Sequence, residues 1–213
     1  LSSIEEVDVW LRVNGAGTRW HKEDLRLARE SGVKGVVLPK AESRRELDVL
    51  RETLGPDQAR IALVETATGI RAAYEIAEAC DRIIFGSVDY VLDLGCEPSR
   101  DACLMARSTL VIASRAARIA APLDGITAKI DEEALIRSDA VYARGLGFGG
   151  KILIHPKQIA PSRTGFAPDP DIAAWARKVL AASGGGEARS VDGEMIDAPV
   201  IERARAILRL LGE

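Results

Sequence analysis

Two short apolar runs in this chain end at a carboxylate. Glu65 closes Ile61-Ala62-Leu63-Val64, and Asp89 follows Ile83-Ile84-Phe85-Gly86 after Ser87 and Val88. Carboxylates at the C-terminal ends of buried parallel strands are where (β/α) enzymes keep their chemistry. Two on successive strands converge on one spot, and their hard oxygens suit a divalent cation such as Mg2+. Read structurally, the same residues are strand-end acids that cap neighbouring helices or pair with arginine.

Other strand-end residues extend the chemistry. Arg12 ends the run Val7–Val13, where a guanidinium can grip a carboxylate with two parallel hydrogen bonds and stabilise an oxyanion. The ordinary alternative is a salt bridge. Gly86, Ser87, Val88 and Asp89 form a turn into a helical region, whose backbone N–H groups can bind a carboxylate. Lys40 could form a Schiff base with a carbonyl substrate, but pairing with a nearby acid is the simpler reading. His155, before Pro156, is a ligand, a base or a strand terminator. His21 has no assigned role. Cys80 and Cys103 sit in helical patterns as core fillers, and no CxxC spacing occurs among the three cysteines.

The elements that must position these residues are strands near Val7–Val13, Gly35–Pro39, Ile61–Glu65, Arg82–Gly86, Gly125–Ile130 and Lys151–His155. They are continuous apolar runs rather than alternating ones, so both faces are covered, as in a parallel sheet wrapped by helices. Helical patterns fill the gaps at Lys22–Ser31, Ser43–Leu54, Gly69–Cys80, Arg100–Ala120 and Asp131–Leu146. Ser43-Arg44-Arg45-Glu46 has capping-box spacing. The order is β-α throughout, which defines an α/β fold.

Functional residues at most strand ends favour a TIM-type (β/α)8 barrel over a doubly wound sheet, and no GxGxxG follows the first strand. Six βα units are visible, so the first two units of a barrel are expected to be missing from this chain. Residues 1–160 then form the barrel core. Residues 161–213 form a C-terminal extension: a loop marked by Pro161, Gly165, Pro168 and Pro170, a helix over Asp171–Ala182, a flexible Ser183-Gly184-Gly185-Gly186, a hairpin over Ser190–Asp197 turning at Asp192-Gly193, and a helix over Pro199–Leu211. This appendage reads as a lid or subunit contact.

The 213 residues are 47% hydrophobic with a net charge of −3. That supports one sizeable core. No basic block points to nucleic acid, no apolar run reaches membrane length, and Leu1–Glu6 lacks a signal-peptide pattern. Reduced thiols and the missing leader pattern suggest a cytoplasmic protein.

Five segments resemble one family. Leu11-Arg12-Val13-Asn14, Val37-Leu38-Pro39-Lys40-Ala41-Glu42-Ser43, Leu63-Val64-Glu65-Thr66-Ala67, Phe85-Gly86-Ser87-Val88-Asp89 and Gly150-Lys151-Ile152-Leu153-Ile154-His155-Pro156 are similar to the citrate lyase beta-subunit family. That family groups with the HpcH/HpaI aldolases and the malyl-CoA and citramalyl-CoA lyases. Asp192–Pro199 also resembles its tail. The resemblance implies a TIM barrel, Mg2+ (or Mn2+), CoA as part of the substrate, and a homotrimer or hexamer. It assigns Glu65 and Asp89 as metal ligands and Arg12 as the active-site arginine. Gly86, Ser87 and Val88 become substrate-binding. Asp197 matches a tail aspartate that reaches a neighbouring subunit's site as general acid/base, although an Asp before Ala-Pro is ordinarily a helix N-cap. Two departures stand out. The family's opening Phe-Val-Pro-Gly-like and Asp-Leu-Glu-Asp-like strand ends are absent, and Val88 replaces a glutamate common in members.

The expected activity is reversible carbon–carbon cleavage of a 3-hydroxyacyl-CoA carboxylate, of the malyl-CoA or citramalyl-CoA type, to an acyl-CoA and an α-keto acid. The alternatives are a citrate lyase beta subunit acting on an acyl-carrier thioester, a CoA-independent pyruvate-type aldolase, a malyl-CoA-type thioesterase, and a non-catalytic subunit or fragment.

Overall fold

The computed structural model describes residues 8–183, 190–191 and 194–211. Six strands, Trp10–Arg12 (β1), Gly35–Leu38 (β2), Ala59–Val64 (β3), Arg82–Phe85 (β4), Leu123–Asp124 (β5) and Gly150–Lys151 (β6), form one sheet in the order β1-β2-β3-β4-β5-β6. Every pairing in it is parallel. Strictly sequential order is the progression of a (β/α) barrel wall; a doubly wound sheet would reverse at a switch point. Among the described residues the wall has six strands and stays open between β1 and β6, so it is a partial barrel and not a closed eight-stranded one.

Helices fill the connections: His21–Glu30 (α1), Arg44–Thr53 (α2), Ala67–Arg71 (α3), Ala73–Ala77 (α4), Ser87–Leu94 (α5), Leu104–Ala116 (α6) and Glu133–Leu146 (α7). Alternation along the strands decides which face they cover. Val36, Leu38, Ala62, Val64, Ile83 and Phe85 join the main core with the helix residues Leu25, Leu47, Leu50, Ile76 and Leu110. Ile61, Leu63 and Ile84 point to the other, inner face with Val37, Leu123 and Ile152. On α2 the Glu46 carboxylate accepts the N–H groups of Ser43 and Glu42 at 2.9 and 2.8 Å. Such a cap contributes about 1 kcal/mol. Truncating fully buried Leu47 or Leu50 would cost about 2–5 kcal/mol, so packing holds α2 more than capping does.

Several boundaries differ from the sequence expectation. The strand expected at Gly125–Ile130 lies at Leu123–Asp124, and the stretch after it is a loop. Asp124 ends this two-residue strand and is buried against Arg107 at 2.9 Å, so its charge reads as a break before the strand and not as part of it. The last strand is Gly150–Lys151 and not Lys151–His155, although the Ile152 N–H still reaches the Asp124 carbonyl at 2.9 Å. The first is Trp10–Arg12, flanked by the Lys34 N–H to Val9 carbonyl bond at 2.9 Å; Val7 lies outside the described residues. The helix expected over Gly69–Cys80 is two short helices breaking at Ala72. The segment expected as a loop around Pro161 and Gly165 is a helix, Ile159–Phe166 (α8), preceded by a 3-10 turn at Pro156–Gln158. Pro161 sits in its first turn, where a missing N–H costs little. Gly165 is a close-approach residue: a Cβ there would lie 2.5 Å from the Ala140 Cβ on α7.

Beyond α8, Pro170–Ser183 (α9) and Ala198–Arg209 (α10) pack on each other through Ala176, Val179, Ala204 and Leu208. Ser190–Val191 (β7) and Glu194–Met195 (β8) pair antiparallel, as the hairpin expectation requires. The expected turn at Asp192-Gly193 and the glycines Gly184, Gly185 and Gly186 lie outside the described residues. Among the described residues no helix is long and apolar enough to cross a membrane.

Candidate active site

Strand alternation brings Arg12 and Glu65 to one face. Leu11 and Val13 turn toward the helix-covered core, so Arg12 between them faces inward. Val64 likewise enters that core, and Glu65, the next residue, turns to the side of Leu63. Arg12 is exposed at the end of β1, whereas Glu65 is only 5% exposed.

Glu65 is held from two sides. Its Oε1 accepts the backbone N–H of Lys40 at 3.0 Å. Lys40 adopts a left-handed backbone with φ of 50°, unusual for a residue with a side chain. Gly86 closes the other side. A Cβ there would stand 2.4 Å from the Glu65 Cβ and 2.5 Å from Oε2. Only glycine lets β4 and Glu65 approach so closely.

Asp89 sits in the first turn of α5, directly after β4. It is half exposed, and the Lys40 ammonium lies 4.0 Å from its Oδ1. Burial raises the Glu65 carboxyl above its ordinary value, and the Asp89 charge raises it further; the Lys40 N–H, the Lys40 ammonium and the Arg12 guanidinium oppose this. These four residues therefore form one electrostatic cluster at the strand ends. Gly125 fixes the α5 turn from β5, since a Cβ there would meet the Ser87 Oγ at 2.3 Å.

The other sequence candidates stand apart. Asp197 is exposed and accepts the Val200 N–H at 3.0 Å, which makes it the N-cap of α10. Within its own chain it shares no hydrogen bond or ion pair with Arg12, Glu65 or Asp89 among the described residues. His155 accepts the Lys157 N–H at 3.2 Å and caps the 3-10 turn. Cys80 and Cys103 are buried, and burial pushes the Cys80 thiol up to about 12, far from a nucleophile's range. His21, given no role from sequence, is buried and its Nδ1 lies 2.7 Å from the Asn14 carbonyl, anchoring the loop after β1. Sequence reasoning missed the buried Arg107–Asp124 pair; a lone acid beside Leu123 just before a Gly was its only signal.

The donor set suits a hard cation. Two carboxylates, one buried with its proton affinity raised by the other, leave negative charge that a cation relieves. Mg2+ typically takes one or two protein carboxylates and fills its shell with water and substrate oxygens. Among the described residues no cluster of three or more His, Cys, Asp or Glu offers a fuller cage.

A sequential parallel wall with an arginine and two acids gathered at its strand ends defines the class: a (β/α)-barrel-type enzyme. The family model of HpcH/HpaI aldolase/citrate lyase matches residues 2–156. The citrate lyase subunit beta of Escherichia coli K12 is 34% identical, over 95% of this chain and 74% of its own. A citrate lyase subunit beta-like protein of Mycobacterium tuberculosis is 36% identical, over 95% of this chain and 76% of its own. The crystal structure of CitE from Mycobacterium tuberculosis, in complex with magnesium, acetoacetate and coenzyme A, superposes with a TM-score of 0.85. It is 34% identical and covers 96% of this chain and 78% of that one. The chain belongs to the HpcH/HpaI aldolase/citrate lyase family and is, with its relatives, a lyase.

Proposed function

We propose that the protein cleaves, or in reverse forms, a carbon–carbon bond in a 3-hydroxyacyl-CoA carboxylate such as malyl-CoA or citramalyl-CoA. The observation that carries this reading is the buried Glu65 carboxylate facing Asp89 beside Arg12 and Lys40. Support for the substrate class comes from the solved relative that binds magnesium, acetoacetate and coenzyme A together.

Glu65 and Asp89 would hold Mg2+, which when bound supplies Lewis-acid polarisation of an α-keto or α-hydroxy acid oxygen. Lys40 orients Glu65 through its N–H and balances Asp89 with its ammonium. Arg12 grips the substrate carboxylate and neutralises oxyanion charge. The first N–H groups of α5, at Ser87 and Val88, offer further donors to the carboxylate. In the cleavage direction a base takes the hydroxyl proton and the carbinol carbon becomes the keto carbon. The electron pair of the broken C–C bond passes to the thioester enolate, which takes a proton to give the acyl-CoA. Asp197, delivered from a neighbouring subunit of a homotrimer or hexamer, is the proposed proton donor.

The test is a panel of CoA thioesters and the matching free hydroxy acids incubated with protein and Mg2+, read as released α-keto acid and free CoA. Keto acid from one 3-hydroxyacyl-CoA carboxylate supports the lyase. Free CoA without keto acid would assign a thioesterase instead. Turnover only of the free hydroxy acid would assign a CoA-independent aldolase.

A further inference from the structure

A second site lies on the opposite, helix-covered side of the same sheet. Leu123 and Ile152 face inward, so their neighbours Asp124 and Lys151 project outward; these two are register partners on β5 and β6. There they meet a cavity of about 630 Å3 enclosed by α5, α6, α7 and the loop after β5. That volume is within the usual range for small-molecule sites.

The charges lining it do not balance. Arg107 donates Nε–H to the buried Asp124 at 2.9 Å. Lys151 donates to the Thr127 hydroxyl, which donates in turn to Asp139 Oδ2 at 2.8 Å. Arg100 holds the other Asp139 oxygen at 3.0 Å. Three cations thus face two carboxylates. The remaining basic residue of the lining, Lys129, lies near Glu132 at 3.6 Å and adds nothing to the sum. Arg107 has only 12% of its side chain exposed, and its terminal nitrogens have no oxygen acceptor among the described residues.

Aromatic rings hold the guanidinium groups in place. Arg107 lies 5.3 Å from the Phe85 ring and 5.6 Å from the Tyr142 ring, and Arg100 lies 4.6 Å from Tyr142. Burial depresses the Lys151 ammonium, Asp139 and Asp124 counter this, and Arg107 adds to the depression. A surplus positive charge in a partly dry cavity is costly unless an anion meets it. The surplus is one unit, which a carboxylate matches and a doubly charged phosphate overshoots. Beside Ser87 and Ser99, the wall carries Val91, Ile126 and Leu135, an apolar stretch that suits a compact hydrocarbon body.

We propose that this cavity binds a small organic monocarboxylate, its carboxylate held by Arg107 and Lys151 and its apolar body against Val91, Ile126 and Leu135. The site includes neither Glu65 nor Asp89 and its claim on Arg107 and Lys151 does not rest on the lyase reading, although it shares Ser87 and Val88 with the proposed substrate-binding turn. It abuts the first turn of α5, because Ser87 and Val88 line it and Gly125 presses on Ser87. A ligand there touches the turn that carries Asp89.

The probe is 4-fluorobenzoate, followed by its fluorine resonance on the full chain in EDTA, so that no metal offers it a second anchor. Wild-type protein should bind it saturably. Lys151→Met removes one charge-assisted donor and the surplus charge, and should weaken binding about tenfold or more. Asp139→Asn raises the surplus and should tighten binding several-fold, provided that its circular dichroism matches wild type. Glu65→Gln should leave the affinity unchanged, and inorganic phosphate should compete poorly. Four results would overturn the proposal: no saturable binding to wild type, equal affinity in Lys151→Met and Asp139→Asn, loss of binding in Glu65→Gln, or phosphate competing as well as the probe itself.

Discussion

Glu65 accepts the backbone N–H of Lys40 at 3.0 Å, and the Lys40 ammonium lies 4.0 Å from Asp89. One residue in a left-handed turn thus positions the first carboxylate with its backbone and balances the second with its side chain. The bond from the backbone does not use the Lys40 side chain, whereas the contact with Asp89 does.

Gly86 is the most exacting position near the site. Gly86→Ala puts a methyl group 2.4 Å from the Glu65 Cβ, so Glu65 must move. Misplacing the carboxylate proposed to hold the metal should lower metal affinity or turnover by about 10- to 100-fold. Mg2+ titration alongside circular dichroism checks this; unchanged affinity in a folded variant would mean that Glu65 is not a ligand.

Arg12→Lys keeps the charge and loses the planar fork. Removing one preorganised oxyanion donor typically costs about 100- to 1,000-fold in kcat. A steady-state assay of the variant on the substrate found in the thioester panel reads this directly. A wild-type kcat would make Arg12 structural.

The pH dependence of stability follows from Glu65. Its carboxyl titrates above its ordinary value of 4.5 in the folded protein, mainly through burial. The folded state therefore holds the proton more tightly than the unfolded chain, and stability falls as pH rises through the window between the two values. Metal-free protein should lose Tm from about pH 4.5 upward as Glu65 ionises. Glu65→Gln should flatten that slope, and saturating Mg2+ should restore stability at the upper end by binding the folded state. Thermal melts at stepped pH, with EDTA and with Mg2+, test it; an identical slope in Glu65→Gln would remove Glu65 as its cause.

The site was legible where a polar residue interrupts an apolar strand. Glu65 and Arg12 stood out because buried parallel strands carry few charges and these fall at strand ends. Asp89 was legible because Gly86 breaks the pattern before it. The same logic failed for Asp124, which also ends a strand but reads as lying just before one, and which is paired with an arginine 17 residues earlier. Nothing local announces such a long-range pair. Pro161 and Gly165 misled for a related reason: their helix is accommodated by its position on α7, which is tertiary information. The turn at Gly86–Asp89 was expected to open a helical region, and the helix Ser87–Leu94 begins there. Lys40 was legible as a residue, but its backbone role toward Glu65 depends on a φ value that sequence does not reveal.

Asp197 caps α10, and one substitution separates that role from the proposed proton transfer. Asn caps a helix about as well as Asp, so Asp197→Asn should preserve α10 and its melting behaviour while removing the proposed proton donor. Activity should fall sharply with Tm unchanged. Mixing Asp197→Asn protomers with Arg12→Ala protomers should regain activity if Asp197 serves a neighbour's site. No recovery despite confirmed subunit exchange would put Asp197 in its own chain's site or remove it from the mechanism.

The central claim is carbon–carbon cleavage at a cation held by Glu65 and Asp89. Its most direct test is keto acid release from the best thioester substrate in excess EDTA, then after adding Mg2+ beyond the chelator, in wild type and in Asp89→Asn. The account predicts no release in EDTA, full recovery of wild type with Mg2+, and none of Asp89→Asn although that variant folds. Undiminished release in EDTA, or wild-type recovery of Asp89→Asn, would contradict it.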